Sequence, residues 1–147
     1  MDIIQNKMEM ETEYLTIMEI KHLNLYMEIV KFMLEDHGII VDCVADGLEA
    51  VKKFEENEPG YYDVIYMDIM MPNMNGWDAT RKIRSMQRPD AGTIPIIAMS
   101  ANAFAEDIIN SRISGMNCHI AKPLDVESVL NVFKECINIS ENKEKNK

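Results

Sequence analysis

Short apolar runs alternate along the chain with stretches in which apolar residues recur every third or fourth position. Five runs read as strands: Leu15 to Ile20, Ile39 to Ala45, Val64 to Asp68, Ile94 to Ser100 and Cys118 to Ala121. The third to fifth are nearly all apolar, which is the pattern of strands covered on both faces. Between them, Leu25, Ile29, Phe32 and Met33 fall at helical spacing ahead of Gly38, which is placed to close that helix in a left-handed cap. Leu48, Val51 and Phe54 mark a second helix, preceded by a turn at Asp46-Gly47 and closed by Pro59 and Gly60. Trp77 to Ser85, Ala105 to Ser114 and Val126 to Ile139 complete the set. Strand followed by helix, five times over, predicts an α/β domain with a parallel sheet between two helical layers. The closing ENKEKNK has no apolar position and predicts a frayed tail.

Composition narrows the class. A chain of 147 residues with 47% hydrophobic positions suits one domain with its own core. No apolar run approaches the roughly 20 residues that span a bilayer, so membrane insertion is not expected. The N-terminus sets Asp2, Glu9, Glu11 and Glu13 against Lys7 and has no basic start followed by an apolar stretch. It does not read as a signal peptide, and a cytoplasmic location is the expectation. The net charge of -10 argues against nucleic-acid binding, which needs clustered Lys and Arg to meet phosphates. A protein partner is expected instead. Cys43, Cys118 and Cys136 are odd in number and lack CxxC or His-paired spacing, so they read as free buried thiols rather than a disulfide framework or zinc site. The 13 methionines read as core gap-fillers.

The chemistry concentrates at strand ends. Val64-Ile65-Tyr66-Met67-Asp68 is an apolar strand that ends in a carboxylate and runs into Ile69-Met70-Met71-Pro72-Asn73-Met74-Asn75-Gly76, a loop rich in Pro, Asn and Gly. In open parallel sheets, reactive groups gather beyond the carboxyl ends of the strands. A second strand end supplies Ser100 and a third supplies Lys122, followed by Pro123. A carboxylate can attack phosphorus to form an acyl phosphate, while a lysine and a hydroxyl stabilise the transferred oxygens. Taken singly, each residue has a plainer use: Asp68 as a loop or helix cap, Lys122 as a solvated lysine, Ser100 as a satisfied strand-end hydroxyl. Their shared placement favours phosphoryl capture.

The segments MDIMMPNMNGWDATRKIR, PIIAMSANAF and HIAKPLD, in that order, resemble the phosphorylation loop, switch strand and Lys-Pro motif of response-regulator receiver domains. The wording is similar to receivers attached to hybrid histidine kinases. The resemblance covers residues 14–139 as a receiver domain, leaving 1–13 as an N-terminal extension and 140–147 as a charged tail. It implies a flavodoxin-like (βα)5 sandwich with a five-stranded parallel sheet in the order 2-1-3-4-5. It further implies that Asp68 accepts a phosphoryl group from a histidine kinase or phosphotransfer domain, that Lys122 contacts it, and that Ser100 is the switch hydroxyl. His119 stands where the family carries a swinging aromatic, and Lys122-Pro123 would be a cis bond. Magnesium is implied as cofactor, with Asp68 and the backbone carbonyl of Met70 as ligands. A homodimer through the fourth and fifth helices is a family habit. Such a domain is a phosphoacceptor rather than an enzyme with turnover; a phosphatase of the Asp-nucleophile kind would carry a second Asp where Met70 stands.

One part of the pattern departs. Receivers place an acidic pair at the end of the first strand, because a hard cation needs oxygen ligands. Counting back from Gly38 without a gap puts Lys21 and His22 there. Glu19, two residues upstream, reaches the site only if the register slips by two. A lysine beside Asp68 imitates part of the cation's charge. The alternative reading is therefore a pseudo-receiver, a binding module with the fold but impaired magnesium and phosphate chemistry.

Overall fold

The computed structural model describes residues 16–20, 25–70, 73–100, 105–121 and 126–145. Its strands are β1 (Thr16–Ile20), β2 (Ile40–Val44), β3 (Val64–Asp68), β4 (Ile96–Ser100) and β5 (Cys118–Ala121). Its helices are α1 (Leu25–Asp36), α2 (Gly47–Glu56), α3 (Gly76–Arg84), α4 (Ala105–Ser114) and α5 (Val126–Lys145). All five strands pair in parallel in one sheet, in the order β2-β1-β3-β4-β5. β3 is therefore central, and Asp68 ends the middle strand.

The alternation of side chains across β3 and β4 builds two cores. Val64, Tyr66, Ile97 and Met99 meet Leu34 of α1 and Val129, Phe133 and Cys136 of α5 on one face. Ile65, Met67, Ile96 and Ala98 meet Ala50 and Phe54 of α2 and Ala79 and Ile83 of α3 on the other. Every residue of β3 and β4 is buried, which explains why these runs carry almost no polar residue. Phe54 and Tyr66 are the largest fully buried side chains, and such a ring contributes about 2–3 kcal/mol by leaving water. The Tyr66 hydroxyl donates to the Val129 carbonyl, so the ring is satisfied as well as buried. Arg88 lies over the Phe54 ring, 4.2 Å from its centroid, and donates to the Phe54 carbonyl at 2.6 Å. α4 packs beside α3, where the indole N–H of Trp77 donates to Ser111 Oγ at 3.0 Å.

Several boundaries differ from the sequence expectation. β5 is an edge strand, and its Cys118 and His119 are only half-buried, so its apolar wording reflects one covered face rather than two. Ile39, Ala45, Ile94 and Pro95 fall outside the strands. α5 continues to Lys145, so most of the expected frayed tail is helical. Glu and Lys are good helix formers, and no Gly or Pro interrupts them. Gly38 has φ 81, the left-handed cap expected at the end of α1. Among the described residues no helix is long and apolar enough to cross a membrane. Cys136 is buried while Cys43 and Cys118 are half-buried, and none of the three is in a disulfide.

The start of α2 is tied to the loop that follows β3. Asp46 Oδ1 accepts from the Glu49 amide at 2.9 Å, and Glu49 Oε2 accepts from the Ala45 amide at 2.8 Å. The second oxygen of Asp46 accepts from Asn73 Nδ2 at 2.7 Å. The Glu49 amide and Asn73 hold the Asp46 carboxyl below its usual pKa. A lowered folded-state pKa gives stability that is present above the unfolded value and lost as pH falls through the folded one. Asp46→Ala is therefore expected to cost about 1 kcal/mol at neutral pH and less in strong acid. Urea unfolding at the two pH values checks this, and an equal loss at both would contradict it.

Candidate functional site

Asp68 sits at the carboxyl end of the central strand, 6% exposed, and the backbone beyond it is closely held. The Ile69 amide donates to the Met99 carbonyl at 3.1 Å, and the Ile69 carbonyl accepts from the Gly76 amide at 2.8 Å. The loop thus closes on itself at the first residue of α3. Asn75 caps that helix, its Oδ1 accepting from the Asp78 amide at 2.9 Å. Asn73 adopts φ 67, a conformation that Asn tolerates better than most residues. Its side chain reaches across to Asp46. Asp68 Oδ1 accepts a long bond of 3.3 Å from the Met70 amide, while the Met70 side chain is 74% exposed.

Ser100 ends the neighbouring strand. Met99 pairs with Asp68, so Ser100 lies one register step beyond the carboxylate, and Ser100 pairs with Ala121 of β5. Its hydroxyl is buried and lies 2.7 Å from Nε2 of His119. His119 pairs with Ala98 in the same ladder. Burial lowers the pKa of its ring, and the nearby Asp107 partly opposes the shift. Asp68, Ser100 and His119 are thus gathered on three adjacent strands.

Lys122, Pro123, Lys21 and His22 lie outside the described residues. The backbone of Glu19 is described: it pairs with Tyr66, and Ile20 with Met67, so the β1–β3 register leaves Glu19 two residues short of Asp68. Among the described residues no three His, Cys, Asp or Glu side chains converge as a metal centre. The described donors that could meet magnesium are the Asp68 carboxylate and the Met70 main-chain carbonyl, and this ion ordinarily completes such a shell with waters and phosphate oxygens.

Two features of the edge were not legible in the sequence. Asp46 read as a turn residue and Asn73 as loop filler, yet they join the β2–α2 and β3–α3 connections across 27 positions. The spacing of Asp46 and Glu49 did carry a helix-start signal. The bond between Ser100 and His119 had no local signal.

Comparison with known proteins gives this geometry a context. Residues 20–134 match the response regulator receiver domain family. Hybrid signal transduction histidine kinase L of Dictyostelium discoideum is 32% identical over 120 residues, covering 81% of this chain and 7% of the kinase. The chain thus spans a small part of such relatives. The receiver domain of a sensor histidine kinase from Pseudomonas aeruginosa PAO1, solved with magnesium coordinated in its active-site cleft, is 32% identical. It superimposes with a TM-score of 0.73 over 84% of this chain and 98% of that domain. The yeast Saccharomyces cerevisiae supplies a co-crystal of a histidine phosphotransfer protein with the receiver domain of its downstream response regulator. That structure is 22% identical, with a TM-score of 0.71 over 82% of this chain and 87% of that one, and speaks to the fold alone. With the sheet order, the strand-end carboxylate and a family match that takes in Asp68, Ser100 and His119, the chain belongs to the response regulator receiver domain family.

Proposed function

We propose that Asp68 is the phosphoacceptor of a phosphorelay, charged by a histidine kinase or a phosphotransfer domain. The observation that carries this reading is the placement of a buried carboxylate at the end of the central strand, one register step from the Ser100 hydroxyl, in a chain of the receiver family. An oxygen of Asp68 attacks the phosphorus of a phosphohistidine. An O–P bond forms as the P–N bond breaks, and the electron pair leaves on the imidazole nitrogen, which takes up a proton. Lys122 follows β5 directly in the sequence and in this reading contacts the phosphoryl oxygens. The acyl phosphate carries close to two negative units where the carboxylate carried one, and the extra charge and its oxygens bias Ser100 toward the phosphoryl group. The domain then acts as a signalling module rather than a turnover catalyst. The output face we assign to α4, where Ile109 and Ile113 are 56% and 71% exposed. A homodimer through α4 and α5 would use the same face.

Acetyl phosphate with magnesium in the buffer, followed by mass spectrometry, tests the reading. One added phosphoryl group mapped to Asp68 supports it, and no adduct overturns it. The replaced acidic pair makes a separate prediction. Lys21→Glu with His22→Asp is expected to tighten magnesium binding by about tenfold or more, because two carboxylates join the oxygen donors. Titration of backbone amide shifts with magnesium reads this directly. An unchanged affinity would show that the basic pair does not limit the site.

A further inference from the structure

The hydrogen bond between Ser100 and His119 places a titratable ring on the hydroxyl that the proposed switch must move. A serine hydroxyl has one proton to give, and a buried one has to place it. We propose that His119 is the resting acceptor of the Ser100 proton, so that the ring and an incoming phosphoryl group compete for the same hydroxyl. The inference rests on Asp68 being the phosphoacceptor, and it assigns His119 a chemistry that a hydrocarbon ring at this position lacks.

A neutral imidazole protonated at Nδ1 presents a bare Nε2, which accepts from Ser100 Oγ across the observed 2.7 Å. Protonation turns Nε2 into a donor, and the Ser100 proton is released for another acceptor. Half-burial keeps the ring neutral to lower pH than usual, so the resting bond persists at neutral pH. Among the described residues the charged groups near the ring are Asp107 and Arg112. Asp107 on α4 favours the imidazolium, and Arg112 on the same helix lines the cleft beside His119. On the adjoining strand β4 the residues that flank it, Ala98 and Ser100, carry no charge. The sign follows. Above the pKa of His119 the Ser100 proton is held by the ring and activation is resisted. As pH falls through that pKa the proton is freed for a phosphoryl oxygen and phosphoryl mimics bind more tightly. His119 is thus a positioning residue that acts through Ser100.

The experiment uses the full chain and two readouts. Ring nitrogen NMR of His119 at neutral pH is expected to show the Nδ1 proton and a bare Nε2. Ser100→Ala should raise the pKa of the ring, since the bond to the neutral form is lost. A proton on Nε2, or a pKa unmoved by Ser100→Ala, overturns the gate. Titration with beryllofluoride, followed at the Asp68 amide, is expected to tighten several-fold as pH falls through the pKa in the wild type and to stay flat in His119→Phe. The same pH profile in both proteins overturns the gate alone. No shift at Asp68 in either protein overturns the phosphoacceptor reading, and the gate with it.

Discussion

Asp68→Asn is expected to reduce phosphoryl labelling by acetyl phosphate to background while leaving the fold intact. The amide has no anionic oxygen to attack phosphorus, and no other described carboxylate stands at the end of β3 to replace it. The fold should tolerate the change for three reasons. Asn has the shape of Asp, its Oδ1 can still accept from the Met70 amide, and that bond is already long at 3.3 Å. The free energy of unfolding should therefore change by less than about 1 kcal/mol. Mass spectrometry after labelling, with urea unfolding alongside, checks both halves. A folded Asp68→Asn protein that still gains one phosphoryl group would place the acceptor elsewhere.

What the chain discloses in advance depends on how local the cause is. β3 and β4 were readable to within two residues because both faces are covered, leaving an unbroken apolar run. The cap of α1 was readable because Gly38 must adopt φ 81 and few other residues do so without strain. The position of Asp68 follows from the same locality: a carboxylate directly after an apolar strand and before a Pro, Asn and Gly loop needs no long-range information. β5 misled because an edge strand buried on one face can be worded like a central one when its residues are small or apolar. The helical reach of α5 to Lys145 was missed because charge was weighed above helix propensity. The bonds from Asn73 to Asp46 and from Ser100 to His119 join residues on separate elements, and only the sheet order brings them together. Lys21 and His22, the departure expected on the metal side, lie outside the described residues, and the unslipped β1–β3 register keeps the Glu19 position two residues short of Asp68.

Gly76→Ala is expected to destabilise the protein by about 3 kcal/mol and to impair phosphoryl capture together with it. Gly76 opens α3, and its amide donates to the Ile69 carbonyl at 2.8 Å, which draws the helix start against the strand that bears the acceptor. A Cβ built at Gly76 would stand 2.3 Å from the Asp68 carbonyl oxygen and 3.1 Å from both the Asp68 carbonyl carbon and the Ile69 Cα. These are main-chain atoms, so no side chain can swing aside to make room. Two effects then oppose each other. Replacing Gly by Ala within a helix ordinarily gains about 0.5–1 kcal/mol from backbone entropy. Overpacking against fixed atoms ordinarily loses about 1–3 kcal/mol, and a contact this short falls at the upper end. The clash wins. Relief requires α3 to move away from β3 or the Asp68–Ile69 peptide to tilt, and the second route turns the carboxylate out of line with Ser100. Urea unfolding gives the loss of stability, and the rate of labelling by acetyl phosphate under conditions where the variant remains folded gives the cost to the site. Stability within about 0.5 kcal/mol of the wild type would mean that the helix start yields at little cost, and that the close contact does not hold Asp68 in place.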